Sequence, residues 1–309
     1  MGELNSVLDF LKVVIVITAT QLMWILGTLF IFGFILYLLA RFTRTTYAKT
    51  VGWKLDVVAT GWIGTPVHEL GHALFCILFR HKIVAIKLFS PNSTDGTIGY
   101  VNHSYDKTSI YQRIGNLFIG VGPIIFGAMV LYAALYYLLP NAKEVMAGLD
   151  AQSKIMATAG QSDVFTILGS LKETALVTLT SLFCWNNFSH LLFWVFLYVA
   201  ICVSSHMELS PPDIKGALSG LVSLVIFFLL VNTIIMLLEI TGVSNHVGHW
   251  WNYIKIESYS TVINKYVGIF AALFIFAGII SALNFTFSYI VLNIYSIIKG
   301  DGMVNPFWK

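Results

Sequence analysis

Two imidazoles four residues apart, with a carboxylate between them, are the groups from which this chain could build a metal centre. They are His68, Glu69 and His72, within GWIGTPVHELGHALFCILFR at 61–80. On a helix, positions i and i+4 project from one face, so both rings reach one ion, while Glu69, displaced by about 100°, reaches a water on that ion. Zinc hydrolysis asks for that set: neutral imidazoles at a fixed separation, an open position for water, and a carboxylate to take the water's proton. The surrounding residues are apolar enough to cross a bilayer, and an ionisable group in such a run marks a functional site by default. Thr65-Pro66 resembles an N-cap followed by a first helical residue, so the spacing predicts that the helix begins or kinks at 64–66.

A hydrolytic zinc takes a third protein ligand. Asp213 is the leading candidate, because it follows Pro211-Pro212 where an apolar segment begins. A first-turn acid favoured by the helix dipole is the plainer account of it. His206 is the runner-up, as a ligand, as a group supporting one, or as a hydrogen-bond donor to substrate. Glu239 and Glu144 fit better as interfacial or solvated acids. Cys76 continues the His68/His72 face by one turn and reads as a small buried side chain. His246 and His249 sit beside Trp250-Trp251 and read as an interfacial belt. His190 and His103 lack partners in sequence and receive no role.

Composition says what must position these groups. Of 309 residues, 57% are hydrophobic and only 11% charged, with mean hydropathy +0.80; soluble domains carry about 25% charged residues. The reading is an all-α polytopic membrane protein, integral and multi-pass, with about six transmembrane helices and a small re-entrant or interfacial β-hairpin. The spans are expected at about 12–40, 57–79, 110–139, 188–205, 214–239 and 267–298. The hairpin is expected at 83–103, as strands 83–90 and 97–103 around the Asp95-Gly96 turn. Residues 140–187 are balanced in charge, and Val164, Leu168, Leu171, Ala175, Leu179 and Leu182 recur at helical spacing, predicting an amphipathic surface or lid segment. The chain reads as one membrane domain, 1–309, with a core at 57–240. The net charge of +3 includes no polybasic tract, which argues against nucleic acid as a partner. The three cysteines form no CxxC pair and read as buried hydrophobes. Basic residues at 41–54 and 80–87 flank the same segment, so charge leaves orientation open; oligomeric state is open as well.

With these residues in place, the chain resembles the site-2 protease family of intramembrane zinc metalloproteases. HELGH (68–72) in an apolar run, a hairpin after it, GVGP (120–123) in the next span and SPPDIKG (210–216) follow the family's order over about 57–240. The resemblance implies zinc as cofactor, His68, His72 and Asp213 as its ligands, and Glu69 as general base. It implies that the hairpin clamps an extended substrate by strand addition, placing Gly96, Thr97, Ile98 and Gly99 at the substrate, with Ser205 and His206 also facing it. Ile214 and Lys215 separate Asp213 from Gly216, where the family has an Asp-Gly pair. Phe126 stands near the place of an asparagine after the Gly-Pro pair, and Ser205 stands where another asparagine is common.

The expected activity is zinc-dependent hydrolysis of a peptide bond in or near a membrane-spanning segment, with a transmembrane or membrane-anchored protein as substrate and the bilayer as surroundings. The alternative is a metal-binding membrane scaffold that holds a transmembrane partner without cutting it; an intact Glu69 argues against it. A Ste24-like metalloprotease would take a glutamate as third ligand, and no downstream glutamate motif offers one. A transporter with a buried His/Glu site would not require i, i+4 spacing with a base between.

Overall fold

A computed structural model describes residues 7–92, 97–158 and 164–307. Among these, eight long helices and one hairpin make up the fold. They run α1 (Val7–Thr50), α2 (Trp62–Leu78), β1 (Lys82–Lys87), β2 (Tyr100–Ser104), α3 (Ile110–Leu138), α4 (Ala142–Thr158), α5 (Val164–Leu182), α6 (Leu191–Ser204), α7 (Pro211–Ile240) and α8 (Ser260–Lys299). Four helical stretches among the described residues are long and apolar enough to cross a membrane: Ile25–Thr50 of α1, Ile110–Leu138, Pro211–Ile240 and Val262–Lys299.

The two remaining expected spans are shorter. α2 has 17 residues and α6 has 14, against the ~20 that cross the hydrocarbon. Ahead of α2, the apolar run is broken into a turn at Trp53–Asp56 and a π-helical turn at Val57–Gly61. The Tyr198 hydroxyl donates to the Ala59 carbonyl (2.6 Å) and accepts from Trp62 Nε1 (2.7 Å), which ties this irregular turn to α6. Pro66 therefore sits inside α2, not at its first position.

α3 is the central element, packed by α2, α6, α7 and α8. Leu117, Ile124, Leu131 and Leu135 along it are fully buried. α2 crosses α3 backbone to backbone: a Cβ on Gly71 would stand 2.8 Å from Pro123 Cα and 2.9 Å from Gly122 O. No side chain fits there, so the small residues set how close the His68/His72 helix comes to α3.

The interval 140–187 folds into two helices, α4 and α5. Val145 and Leu149 of α4 are buried, and α4 packs on α8. On α5, Leu182 is buried and Ala175 and Leu179 are half-buried, while Leu176 and Thr180 are exposed. The side chains of Val164, Leu168 and Leu171 lie outside the described residues.

The hairpin is antiparallel and pairs Ile83 with His103, Ala85 with Asn102 and Lys87 with Tyr100. Its strands are shorter than expected, although Ser90 N donating to Ile98 O (2.7 Å) carries the pairing toward the turn. Asp95-Gly96 lies outside the described residues. Ile83 and Val101 pack against Phe75, Phe79 and Ile119, so one face of the hairpin is held on α2 and α3.

Candidate metal centre

α2 and α7 bring three groups to one point. His72 Nε2 lies 3.1 Å from His68 Nε2 and 3.1 Å from Asp213 Oδ1; His68 Nε2 lies 3.6 Å from Asp213 Oδ2. Among the described residues these form the one His/Cys/Asp/Glu group close enough to hold a metal ion. A tetrahedral ion bound at ~2.0–2.1 Å separates its ligand atoms by about 3.3 Å, so the observed spacings bracket a zinc-sized site.

Hydrogen bonds behind the rings make the same point. His72 Nδ1 lies 2.7 Å from the Ile119 carbonyl, and His68 Nδ1 lies 2.7 Å from the His206 carbonyl. A carbonyl only accepts, so each neutral ring carries its proton on Nδ1 and turns a bare Nε2 lone pair inward. Two facing lone pairs beside a carboxylate repel one another unless a cation lies between them. The donor set therefore fits zinc.

Asp213 is oriented by its own helix start. Ser210 N (2.8 Å) and Ser210 Oγ (2.6 Å) both donate to Asp213 Oδ2, and Asp213 N donates back to Ser210 Oγ at 3.4 Å. This capping box satisfies the first turn of α7 and fixes the carboxylate plane. The acid of the first turn and the acid that faces the two imidazoles are one residue.

A cavity of about 800 Å³ opens beside these groups, lined in part by Glu69, Thr97, Ile98, Gly99, His103 and Asn116. Glu69 is only 6% exposed. Gly99 lies over it: a Cβ there would come within 2.9 Å of Glu69 Oε1 and 2.7 Å of Thr65 Cγ2. The stretch leading into β2 thus forms a wall of the cavity directly above the carboxylate.

The other expected site residues are placed as follows. His206 lines the cavity, but its ring donates from Nδ1 to the Cys202 carbonyl (3.0 Å) and it stands outside the converging ligand atoms. Its backbone carbonyl is what serves, by orienting His68. Ser205 is buried, and its hydroxyl accepts from Asn284 Nδ2 of α8 (2.8 Å); it is not among the described cavity-lining residues. Gly96 lies outside the described residues. Cys76 is fully buried between α2 and α3. Glu239 pairs with Lys255 at the far end of α7, and Glu144 accepts from Asn141.

Sequence reasoning missed His103, Asn116, Arg44 and Glu208, all at the cavity. Arg44 of α1 is ion-paired with Glu208, and its Nε lies 3.9 Å from Asp56 Oδ2. Burial pushes the Glu208 carboxyl up, and the Arg44 guanidinium opposes it. This pair ties α1 to the link that carries both the His206 carbonyl and Ser210.

His81 and His103 are both held below the ordinary histidine range. Burial is the main cause in each, opposed at His81 by the Gln112 carbonyl and reinforced at His103 by His81 and His72. A histidine with a lowered folded-state pKa stays neutral where the unfolded chain already binds protons. Hairpin docking is therefore fully stabilised above about 6.5 and weakens as pH falls from there through the lowered values. Amide exchange in β1 and β2, corrected for intrinsic rates, should be faster near pH ~5.5 than near pH ~7.5. Equal protection at both would show that these rings do not hold the hairpin.

Comparison of the chain with protein-family models, with curated proteins and with solved structures finds no match in any of the three.

Proposed function

We propose that this chain is an integral, multi-pass membrane protein that hydrolyses a peptide bond in or near a membrane-spanning segment, using zinc. The observation that supports it most is the convergence of two Nε2 lone pairs and one carboxylate beside a cavity that contains a further carboxylate, Glu69, with no hydrogen-bond partner among the described residues. The resemblance to site-2 proteases points the same way. In this reading six segments cross or enter the bilayer, with α2 and α6 as short members, each packed on its neighbours along one face and exposing apolar side chains on the other.

His68, His72 and Asp213 would hold the zinc, and bound zinc supplies a Lewis acid that polarises a carbonyl and brings the pKa of water to ~7. The chain's own residues do the rest. The Ile119 and His206 carbonyls keep both rings in the binding tautomer, and Ser210 keeps Asp213 facing them. Glu69 takes the proton of the attacking water and returns it to the leaving amine. The outer edge of the β2 lead-in, Thr97–Gly99, aligns an extended substrate by strand addition. Burial excludes bulk water, which sharpens these charges.

Metal removal tests the reading. Detergent-purified protein should contain about one zinc per chain, and peptide cleavage should disappear on chelation and return with added zinc. Zinc present without cleavage would favour the scaffold alternative. No zinc even after reconstitution would sink the metal centre itself.

A further inference from the structure

The hairpin presents an imidazole that the zinc chemistry above does not use. His103 stands opposite Ile83 on β2, two residues from Val101 and on the same face, which packs against α2 and α3. It lines the same cavity as Glu69 and His72. The strand partner gains an extra residue between Ile83 and Ala85, a bulge of the kind that re-aims a side chain.

Its hydrogen bonding is dictated from behind. His81 Nε2 lies 2.8 Å from the Gln112 carbonyl, which can only accept, so neutral His81 carries its proton there and offers a lone pair at Nδ1. His103 Nδ1 lies 3.0 Å from that lone pair and must donate to it. Neutral His103 is therefore left with a bare lone pair at Nε2, for which no partner exists among the described residues. The orienting ring is itself fixed: Tyr105 stacks on His81 at 4.9 Å and 19°. The turn into His81 is set by Arg80 at φ 58 and by His81 N donating to Cys76 O at 2.8 Å. Burial keeps both rings neutral at neutral pH.

We propose that His103 is a substrate-contacting residue of this site, its Nε2 accepting a hydrogen bond from one backbone N–H of the peptide segment that lies along β2. The proposal rests on the peptidase reading and deepens it. A carbonyl or carboxylate presented to that lone pair would be repelled, whereas a peptide offers it a backbone N–H wherever that group is not already paired with a strand. One substrate position must then carry a free backbone N–H. Proline or an N-methylated residue is rejected there, giving the site a selectivity that the zinc ligands alone do not impose.

The test uses a tripeptide hydroxamate of apolar residues, which chelates zinc, and its singly N-methylated analogues. Binding to the zinc-loaded protein in detergent is measured without turnover. Wild type should lose about 10-fold in affinity on N-methylation at one position, the scale of a single buried hydrogen bond. His103→Asn keeps a donor toward His81 but lacks the outer acceptor. It should bind the parent compound about 10-fold more weakly and be indifferent to that methyl group. His103→Gln, whose amide oxygen reaches the Nε2 position, should stay within about threefold of wild type. Undiminished affinity in His103→Asn, or undiminished sensitivity to the methyl group, overturns the proposal. If His68→Ala abolishes hydroxamate binding while His103→Asn does not, only this inference falls. If His68→Ala binds as well as wild type, the zinc reading falls and takes the inference with it.

Discussion

Glu69→Gln should lower peptide cleavage by about 10²–10⁴-fold, the usual contribution of a positioned acid–base group, while zinc content stays at that of wild type. The two halves of this result come from different parts of the site. Activity falls because an amide has the carboxylate's shape but cannot take a proton from water or return one to the leaving amine. Zinc stays because the converging atoms belong to His68, His72 and Asp213, and none to Glu69. The fold tolerates the exchange, since Gln fills the same space beneath Gly99. Cleavage measured beside metal content therefore separates base from ligand. Full activity in Glu69→Gln would remove it from the mechanism, and loss of zinc would place it at the metal instead.

What sequence revealed, and what it hid, follows from the range of each interaction. The pairing of His68 with His72 is a property of one helix, so i, i+4 spacing alone places both rings on one face. Asp213 was legible because Pro211-Pro212 marks a helix start; that Ser210 orients its carboxylate was not. The hairpin showed through its β-branched residues around a turn cluster. The failures are long-range or involve backbone. His206 was weighed as a side chain, yet its carbonyl orients His68, and backbone groups carry no sequence signal. Ser205 turned toward Asn284 of α8, a partner that no local pattern could supply. Arg44 fell within a basic connector and Glu208 drew no reading until the fold paired them. Hydropathy registered the apolar run at 57–79 but not the π turn that shortens α2, because composition is blind to how a turn is wound.

Asp213→Ala should cost zinc affinity more than 100-fold, beyond the ~10–100-fold expected for groups that merely orient a ligand. The protein should remain folded, because the substitution removes only the carboxylate half of the capping box, at most about 1 kcal/mol, while Ser210 Oγ still accepts from the residue-213 N–H. A graded version of the same loss comes from a residue that touches no ligand atom. Gly120 of α3 faces the start of α7 so closely that a Cβ would lie 2.6 Å from the Asp213 carbonyl oxygen and 2.9 Å from Ala217 N. Both are backbone atoms, so Gly120→Ala must push the first turn of α7 away from α3 and shift the carboxylate relative to the two rings. An intermediate weakening of about 10–100-fold follows, with Glu69 and both histidines intact. Gly216, also in that first stretch of α7, faces open space: a Cβ there would meet nothing within 4 Å. Gly216→Ala should therefore leave zinc binding unchanged while favouring the helix by up to about 1 kcal/mol. Zinc titration of the three variants should thus rank Asp213→Ala below Gly120→Ala below Gly216→Ala. If Gly120→Ala matched wild type, the helix crossing would not be what carries Asp213 to the metal. If Asp213→Ala kept its zinc, the third ligand would have to be sought elsewhere in the cavity wall.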